Sequence, residues 1–257
     1  MKPVFFGEGN DKIFGVYHNP EKSVPNPKRV LICSPIAHEY MKSYRIIRIL
    51  ADRLSQCGNY VLRFDWAGHG DSYGTFNNCN FKLWGKNIGC ALEYFLSEAD
   101  DSPLYIVGFR VGASILLKQS PFILHHHEIV LCDPVLDGSF WINLIHFIHR
   151  DIFSGNLPDN SYSTNELIGF RYSLELLNDI RFFNINTLNV NKKYDLICSE
   201  FERLKNAPFF LNQTRLFKSV NVTNDPDIWG IPELFDRVLL NSQSISSIVS
   251  LLTGNSK

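Results

Sequence analysis

The sequence predicts an α/β fold, a mostly parallel sheet with helices packed on both faces. Three observations predict it. Continuous apolar runs, RVLICSP at 29–35, YVLRFDW at 60–66, LYIVGF at 104–109 and EIVLCDP at 128–134, read as strands buried on both faces. Segments of helical period stand between them, the alternation that builds parallel sheets. The chain has 257 residues with 45% apolar content, enough to bury one sizeable core as a single domain.

Each element follows in order. Residues 3–7 and 13–18 flank the turn GEGND and predict a hairpin from its Gly, Asn and Asp content. The Pro-containing stretch NPEKSVPNPK is a loop. After the strand at 29–35, Ile46, Ile47, Leu50 and Leu54 share one face of a helix over about 42–56. The strand at 60–66 leads through a Gly-rich loop into an amphipathic helix near 80–98. The strand at 104–109 runs into a helix near 111–119, and 128–134 is the next strand. Later come a strand at 192–199, a weaker one at 215–222 and a last helix over about 231–252. Right-handed crossovers fix most of the topology. Residues 136–190 interrupt the alternation with FWINLIHFIHRDIF and ELIGFRYSLELL. These read as a helical cap inserted over the carboxyl edge of the sheet, where ligands bind in open α/β sheets.

Charge and composition exclude several classes. There are 25 basic and 26 acidic side chains, a formal net charge of -1, so no electrostatic footprint for nucleic acid appears. No run approaches the roughly 18 to 20 apolar residues of a membrane span. The start MKPVFFGEGNDKIFG lacks a signal-peptide pattern, and cytoplasm is the expected compartment. The six cysteines form no CxxC or Cys/His cluster of zinc spacing and read as buried thiols. The histidine run at 125–127 reads as a polar turn, so neither a metal nor a cofactor is expected. A homodimer is compatible with the sequence.

Gly108-Phe109-Arg110-Val111-Gly112 stands between a strand and a helix, the context of a G-x-S-x-G nucleophile elbow with arginine at its centre. The stretch FDWAGHGDSYGT after the preceding strand carries Asp65, Gly68, Gly70 and Ser72 in a D-x-x-G-x-G-x-S pattern. On these motifs the chain resembles the α/β-hydrolase fold. The segments SPIAHEYMKSYR, FDWAGHGDSYGTF, FKLWGKN, VGFRVGASILL, LCDPVLDG and NELIGFRYS carry a narrower resemblance over about 30–175, with a weaker echo at IWGIPEL. They look like the exosortase-associated hydrolases, serine-aminopeptidase-like proteins found with exopolysaccharide and sorting systems. That resemblance implies Arg110 as a subfamily trait and a role in surface-polysaccharide or specialised metabolism. His38-Glu39 departs from the two acidic residues expected of the group.

A serine hydrolase needs a nucleophile, a base and an acid that orients the base. Arg110 is a permanent cation and cannot attack a carbonyl. All eight histidines lie at or before His149, and where a base would follow the last strand the chain reads Asn224-Asp225-Pro226-Asp227-Ile228-Trp229. Ser114 and Ser34 read as packing, and His69 as structural.

Arg110 at a helix N-terminus suits a carboxylate or phosphate, either a ligand's or one supplied internally by Glu39, Asp133, Asp137 or Glu200. The candidate catalytic residues are Glu39, His38 and Asp133. His38-Glu39 would form a general-base pair in the loop before the helix at 42–56. The candidate substrate-binding residues are Arg110, Phe109, Trp66 and Trp229, with Trp141 completing an aromatic ring suited to a sugar or acyl chain. Two functions follow. One is a non-serine hydrolase or acyl-transfer-type enzyme acting on an anionic acyl or glycosyl substrate. The other is a non-catalytic relative that binds an anionic metabolite or a pathway partner.

Overall fold

The computed structural model describes residues 1–9, 11–98, 101–119, 127–153, 165–188, 193–199, 216–225, 229 and 243–254. The hairpin at the start is β1 (Lys2–Phe6) and β2 (Ile13–His18), antiparallel with Lys2 opposite Tyr17. There follow β3 (Arg29–Cys33), α1 (Ala37–Gln56), β4 (Tyr60–Phe64), α2 (Phe81–Glu98), β5 (Leu104–Phe109), α3 (Arg110–Lys118) and β6 (Glu128–Cys132). The inserted region holds α4 (Gly138–Phe153), a two-residue-strand hairpin β7 (Glu166–Leu167) and β8 (Phe170–Arg171), and α5 (Leu174–Arg181). Then come β9 (Tyr194–Ser199), β10 (Phe217–Thr223) and α6 (Gln243–Thr253).

Eight strands form one sheet in the order β1-β2-β4-β3-β5-β6-β9-β10. Within this sheet only the pairs involving β2 are antiparallel, and β4, β3, β5, β6, β9 and β10 run parallel. Alternate side chains of each strand point to opposite faces. Leu31, Leu62, Ile106, Leu131 and Leu196 pack with α2 and α3, whereas Val30, Ile32, Val107, Val130 and Ile197 pack with α1 and α6. Both faces are therefore covered, which is why the strands read as continuous apolar runs.

The register places the site. Cys33 is opposite Gly108, Phe109 opposite Cys132, and Cys132 opposite Ile197. The carboxyl ends of β3, β5, β6 and β9 thus align, and the residues after each meet along one edge.

Three sequence readings are corrected. The helix expected from residue 42 begins at Ala37, so His38 and Glu39 lie in its first turn and not in a loop. Its start depends on a distant side chain: Ile36 makes no side-chain cap, and the Ala37 N–H donates to His69 Nε2 at 2.9 Å. Local periodicity could not register that partner. ELIGFRYSLELL, read as helical, opens with the β7–β8 hairpin and becomes helical only at Leu174. Ile168 and Gly169 both have positive φ, 50° and 76°, the pattern of a two-residue hairpin turn. The strand expected to reach residue 66 ends at Phe64, leaving Trp66 in the following turn region. The expected helix over 231–242 and residues 125–126 of the histidine run lie outside the described residues.

Candidate functional site

At the elbow the strand-to-helix turn is made with Arg110 at φ 50°. This left-handed geometry is strained for a residue with a side chain. The two flanking glycines serve close approach instead. A Cβ on Gly112 would lie 2.2 Å from the Ser34 carbonyl oxygen, and one on Gly108 would lie 2.8 Å from Ala113 Cα. The helix therefore packs directly against the chain leaving β3, and Arg110 is held at the top of the turn.

The Arg110 side chain is turned inward and is 2% exposed. Its Nε and Nη2 donate to Glu39 Oε1 at 3.1 and 3.0 Å, and Nη1 donates to the Asp133 carbonyl at 3.0 Å. The Trp229 ring lies 5.1 Å from the guanidinium carbon, a cation–π contact. From α4, Trp141 Nε1 donates to the same Glu39 oxygen at 3.1 Å, which brings α4 against the elbow. Glu39 Oε1 thus accepts three N–H groups, whereas the equally buried Oε2 has no hydrogen-bond partner among the described residues. The buried Tyr172 hydroxyl, from the chain after β8, also has none there. Burial and then the charge of Glu39 push that phenol well above its usual range.

Asp133 is a second strained residue, with φ 43°. Its Oδ1 accepts the Ser199 N–H at 2.7 Å and its Oδ2 accepts Trp229 Nε1 at 2.9 Å. The carboxylate ties the end of β6 to the end of β9 and holds the indole that covers Arg110. His38 is buried beside Trp141, with ring centroids 6.3 Å apart. Burial first, then the charges of Lys42 and Arg110, lower its pKa to about 3. It is neutral at pH 7 and a weak proton acceptor, poorly matched to general-base work near neutrality.

Phe109 and Trp66 are packed in the core. Trp66 donates to the Ser34 carbonyl at 2.9 Å and meets Phe64 edge-on. A small cleft beside Arg110 is lined by Pro134, Val135, Leu136, Asp137, Phe140, Trp141 and Leu144. Its volume is about 10 Å³, room for a single water. Asp137 is occupied at the start of α4, where Oδ1 accepts the Phe140 N–H at 3.0 Å. Glu200 lies outside the described residues.

Neither serine nearby is placed as a nucleophile. Ser114 is buried and donates to the Val135 carbonyl at 2.7 Å. Ser34 is buried below the Trp66 indole. After β10, where a base would stand, Asp225 accepts the N–H groups of Gln243 and Ser244 at 2.7 and 2.8 Å and so holds the start of α6. The Gly-rich loop is a staple. Asp65 Oδ1 accepts the Tyr40 hydroxyl at 2.8 Å, Ser72 Oγ donates to the Asp65 carbonyl, and Ser72 Oγ accepts the Phe14 N–H.

Sequence reasoning missed Tyr172 and the N-terminal role of His69. The only signal for Tyr172 was an aromatic in a presumed helix, and its inward position follows from the hairpin. Among the described residues no group of three or more His, Cys, Asp or Glu side chains could hold a metal ion. No described helix is long and apolar enough to cross a membrane.

No protein-family model and no curated protein matches the chain. Solved structures do. A soluble variant of monoglyceride lipase from Saccharomyces cerevisiae has a TM-score of 0.67 at 13% identity, covering 98% of this chain and 94% of that one. Est1E from Butyrivibrio proteoclasticus, solved with ferulic acid bound, has a TM-score of 0.63 at 15% identity, covering 98% and 96%. An alpha-beta serine hydrolase homologue from Coxiella burnetii has 0.58 at 13%, covering 98% and 96%. With the mostly parallel eight-stranded sheet and the strand–elbow–helix unit, these likenesses establish the architecture: the chain has the α/β-hydrolase fold.

Proposed function

We propose that this chain is a non-catalytic protein of the hydrolase fold that binds an anionic group at Arg110, with Glu39 as an exchangeable internal carboxylate. The observation that carries the reading is the way Glu39 meets the guanidinium at the elbow. Arg110 presents a planar fork suited to two acceptor oxygens, yet both Nε and Nη2 converge on one oxygen of Glu39. A ligand carboxylate or phosphate offering two oxygens would match the fork better, at a helix N-terminus that already favours negative charge. The described cleft is too small for such a ligand, and on this reading α4, which lines it, moves aside on binding.

The test is a thermal-shift and calorimetric screen of dicarboxylates, sugar phosphates and acyl phosphates, run beside an ester, thioester and amide turnover panel. The reading expects at least one saturable anion, silence across the turnover panel, and loss of binding in Arg110→Ala with partial recovery in Arg110→Lys. Lysine keeps the charge but lacks the fork. Unchanged affinity in a folded Arg110→Ala protein would retire the anion site.

One observation favours an enzyme as a second reading. Glu39 Oε2 is buried without a partner, as is the Tyr172 hydroxyl. A carboxylate oxygen so placed could activate a water without any serine. That reading requires turnover that disappears in Glu39→Gln while the protein stays folded.

A further inference from the structure

The outward face of α1 carries a compact basic stripe. Met41, Tyr44, Arg45 and Arg48 are all exposed, Met41 at 68% and Tyr44 at 39%, with the half-buried Lys42 at their edge. Their spacing of i, i+3, i+4 and i+7 puts them on one side of two helical turns, about 10 Å long. The opposite side of the same helix buries Ile46, Ile47, Leu50 and Leu54 in the core, so the stripe cannot turn inward.

Part of this charge is balanced along the helix and part is not. Arg45 makes no ion pair with any described residue. Arg48 approaches only Asp52, at 3.7 Å, and the other oxygen of Asp52 is 3.2 Å from His18 Nδ1. The apolar members are also ordered in advance. The Tyr44 ring has the Arg63 guanidinium 5.3 Å from its centroid and the Tyr40 ring 5.8 Å away. A side chain already held in place loses little entropy on binding. Met, Tyr and Arg are the residue types enriched at protein interfaces, and Tyr and Arg dominate their hot spots.

We infer that the Met41–Tyr44–Arg45–Arg48 face of α1 is a docking surface for an acidic amphipathic helix of a partner protein. Glutamates of the partner would pair with Arg45 and Arg48, and its apolar residues would cover Met41 and Tyr44. The alternation of apolar and cationic groups within two turns fits one helix laid along another. The inference does not depend on what happens at Arg110.

The test uses the intact protein and a fluorescein-labelled amphipathic helical peptide of leucine and glutamate, followed by anisotropy at low and high salt. The control has lysine in place of every glutamate. The Glu peptide is expected to bind saturably and the Lys peptide at least about tenfold more weakly. Arg45→Glu with Arg48→Gln should lose at least about tenfold in affinity and most of the salt dependence. Met41→Ala with Tyr44→Ala should lose severalfold while keeping the salt dependence. Thermal melting, read alongside, should fall by no more than about 4 °C in either, because the side chains are exposed and lose only the Arg48–Asp52 pair or the Tyr44 contacts with Tyr40 and Arg63. The inference is overturned if the Glu peptide does not bind, or binds the charge variant as well as the parent. Co-sedimentation with phosphatidylserine vesicles through these residues, without peptide binding, would overturn it as well. The elbow ligands and this peptide are read on different variants, so either proposal can fail alone.

Discussion

At the scale of single residues the centre of the site is a buried ion pair under strain. Arg110 and Glu39 each have side chains only 2% exposed. Removing one partner of such a pair leaves an uncompensated buried charge and typically costs about 3 to 5 kcal/mol. Glu39→Gln and Arg110→Met should each lower stability on that scale. The double variant should recover much of the loss, since apolar side chains of similar volume often replace a buried pair without cost. Urea unfolding of the four proteins gives the coupling directly. Additive losses would mean that Asp133 and Trp229, not Glu39, hold the guanidinium. The same experiment separates a structural strut from an exchangeable anion site. In the second case, a saturating anion should stabilise Glu39→Gln more than the parent, because it no longer competes with an internal carboxylate.

At the scale of elements, the elbow and the start of α1 are joined by approaches that leave no spare room. Gly112→Ala would drive a methyl into the Ser34 carbonyl, and backbone on both sides cannot yield cheaply. Loss of more than about 2 kcal/mol is expected, an overpacking effect. A well-folded Gly112→Ala protein with unchanged melting temperature would show that α3 can shift away from β3. The amino end of α1 depends on His69, whose Nε2 accepts the Ala37 N–H while Nδ1 lies 3.4 Å from the Ala67 carbonyl. His69→Ala removes that cap and should cost about 1 kcal/mol or more in urea unfolding, and His69→Gln, which keeps an acceptor, should cost less. Equal losses would mean that the ring packs without capping. The helical period located α1 correctly over most of its length, since Ile46 through Leu54 is an amphipathic pattern. It could not locate the first turn, where the stabilising partner is 32 residues away in sequence.

At the scale of the whole molecule, acid sensitivity should come from histidines buried in neutral form. Burial lowers His18 to about 4, His38 to about 3 and His69 to about 4, with the Arg63 charge adding at His18. Each lies below its unfolded value near 6.5, so the unfolded chain binds more protons between the two. Stability is therefore highest above about pH 6.5 and falls as pH drops toward about 4, by up to about 1.4 kcal/mol per pH unit for each such group. Urea midpoints measured between about pH 7 and 5, above most carboxylate titration, should show this slope, and it should be shallower in His69→Gln. A flat profile would mean that these imidazoles protonate without penalty. Serine-directed chemistry gives a second molecular test. Fluorophosphonate should not label the intact protein, and Arg110→Ser should stay inert, since a serine without a base remains protonated. Stoichiometric labelling at Ser114 or Ser34, or esterase activity in Arg110→Ser, would reveal a base not recognised at the elbow.

What the sequence determined by itself is the layered sheet and the arginine at its elbow. Buried strands read as apolar runs because both faces are covered, and the helices carry an i, i+3, i+4 pattern because one side is. The arginine at the elbow and the lack of any histidine beyond His149 are facts of composition and order, which need no coordinates. Only the tertiary structure decided which carboxylate Arg110 takes. Of the four candidates along the chain, Glu200 lies outside the described residues, which leaves Glu39, Asp133 and Asp137 to compare. The register of β3, β5 and β6 brings all three to one edge, but Asp137 is occupied at the start of α4 and Asp133 by Ser199 and Trp229. Among the described residues Glu39 pairs with the guanidinium, because starting α1 at Ala37 turns its side chain inward beneath Trp141. Such choices depend on contacts between residues far apart in sequence, and these have no period to read.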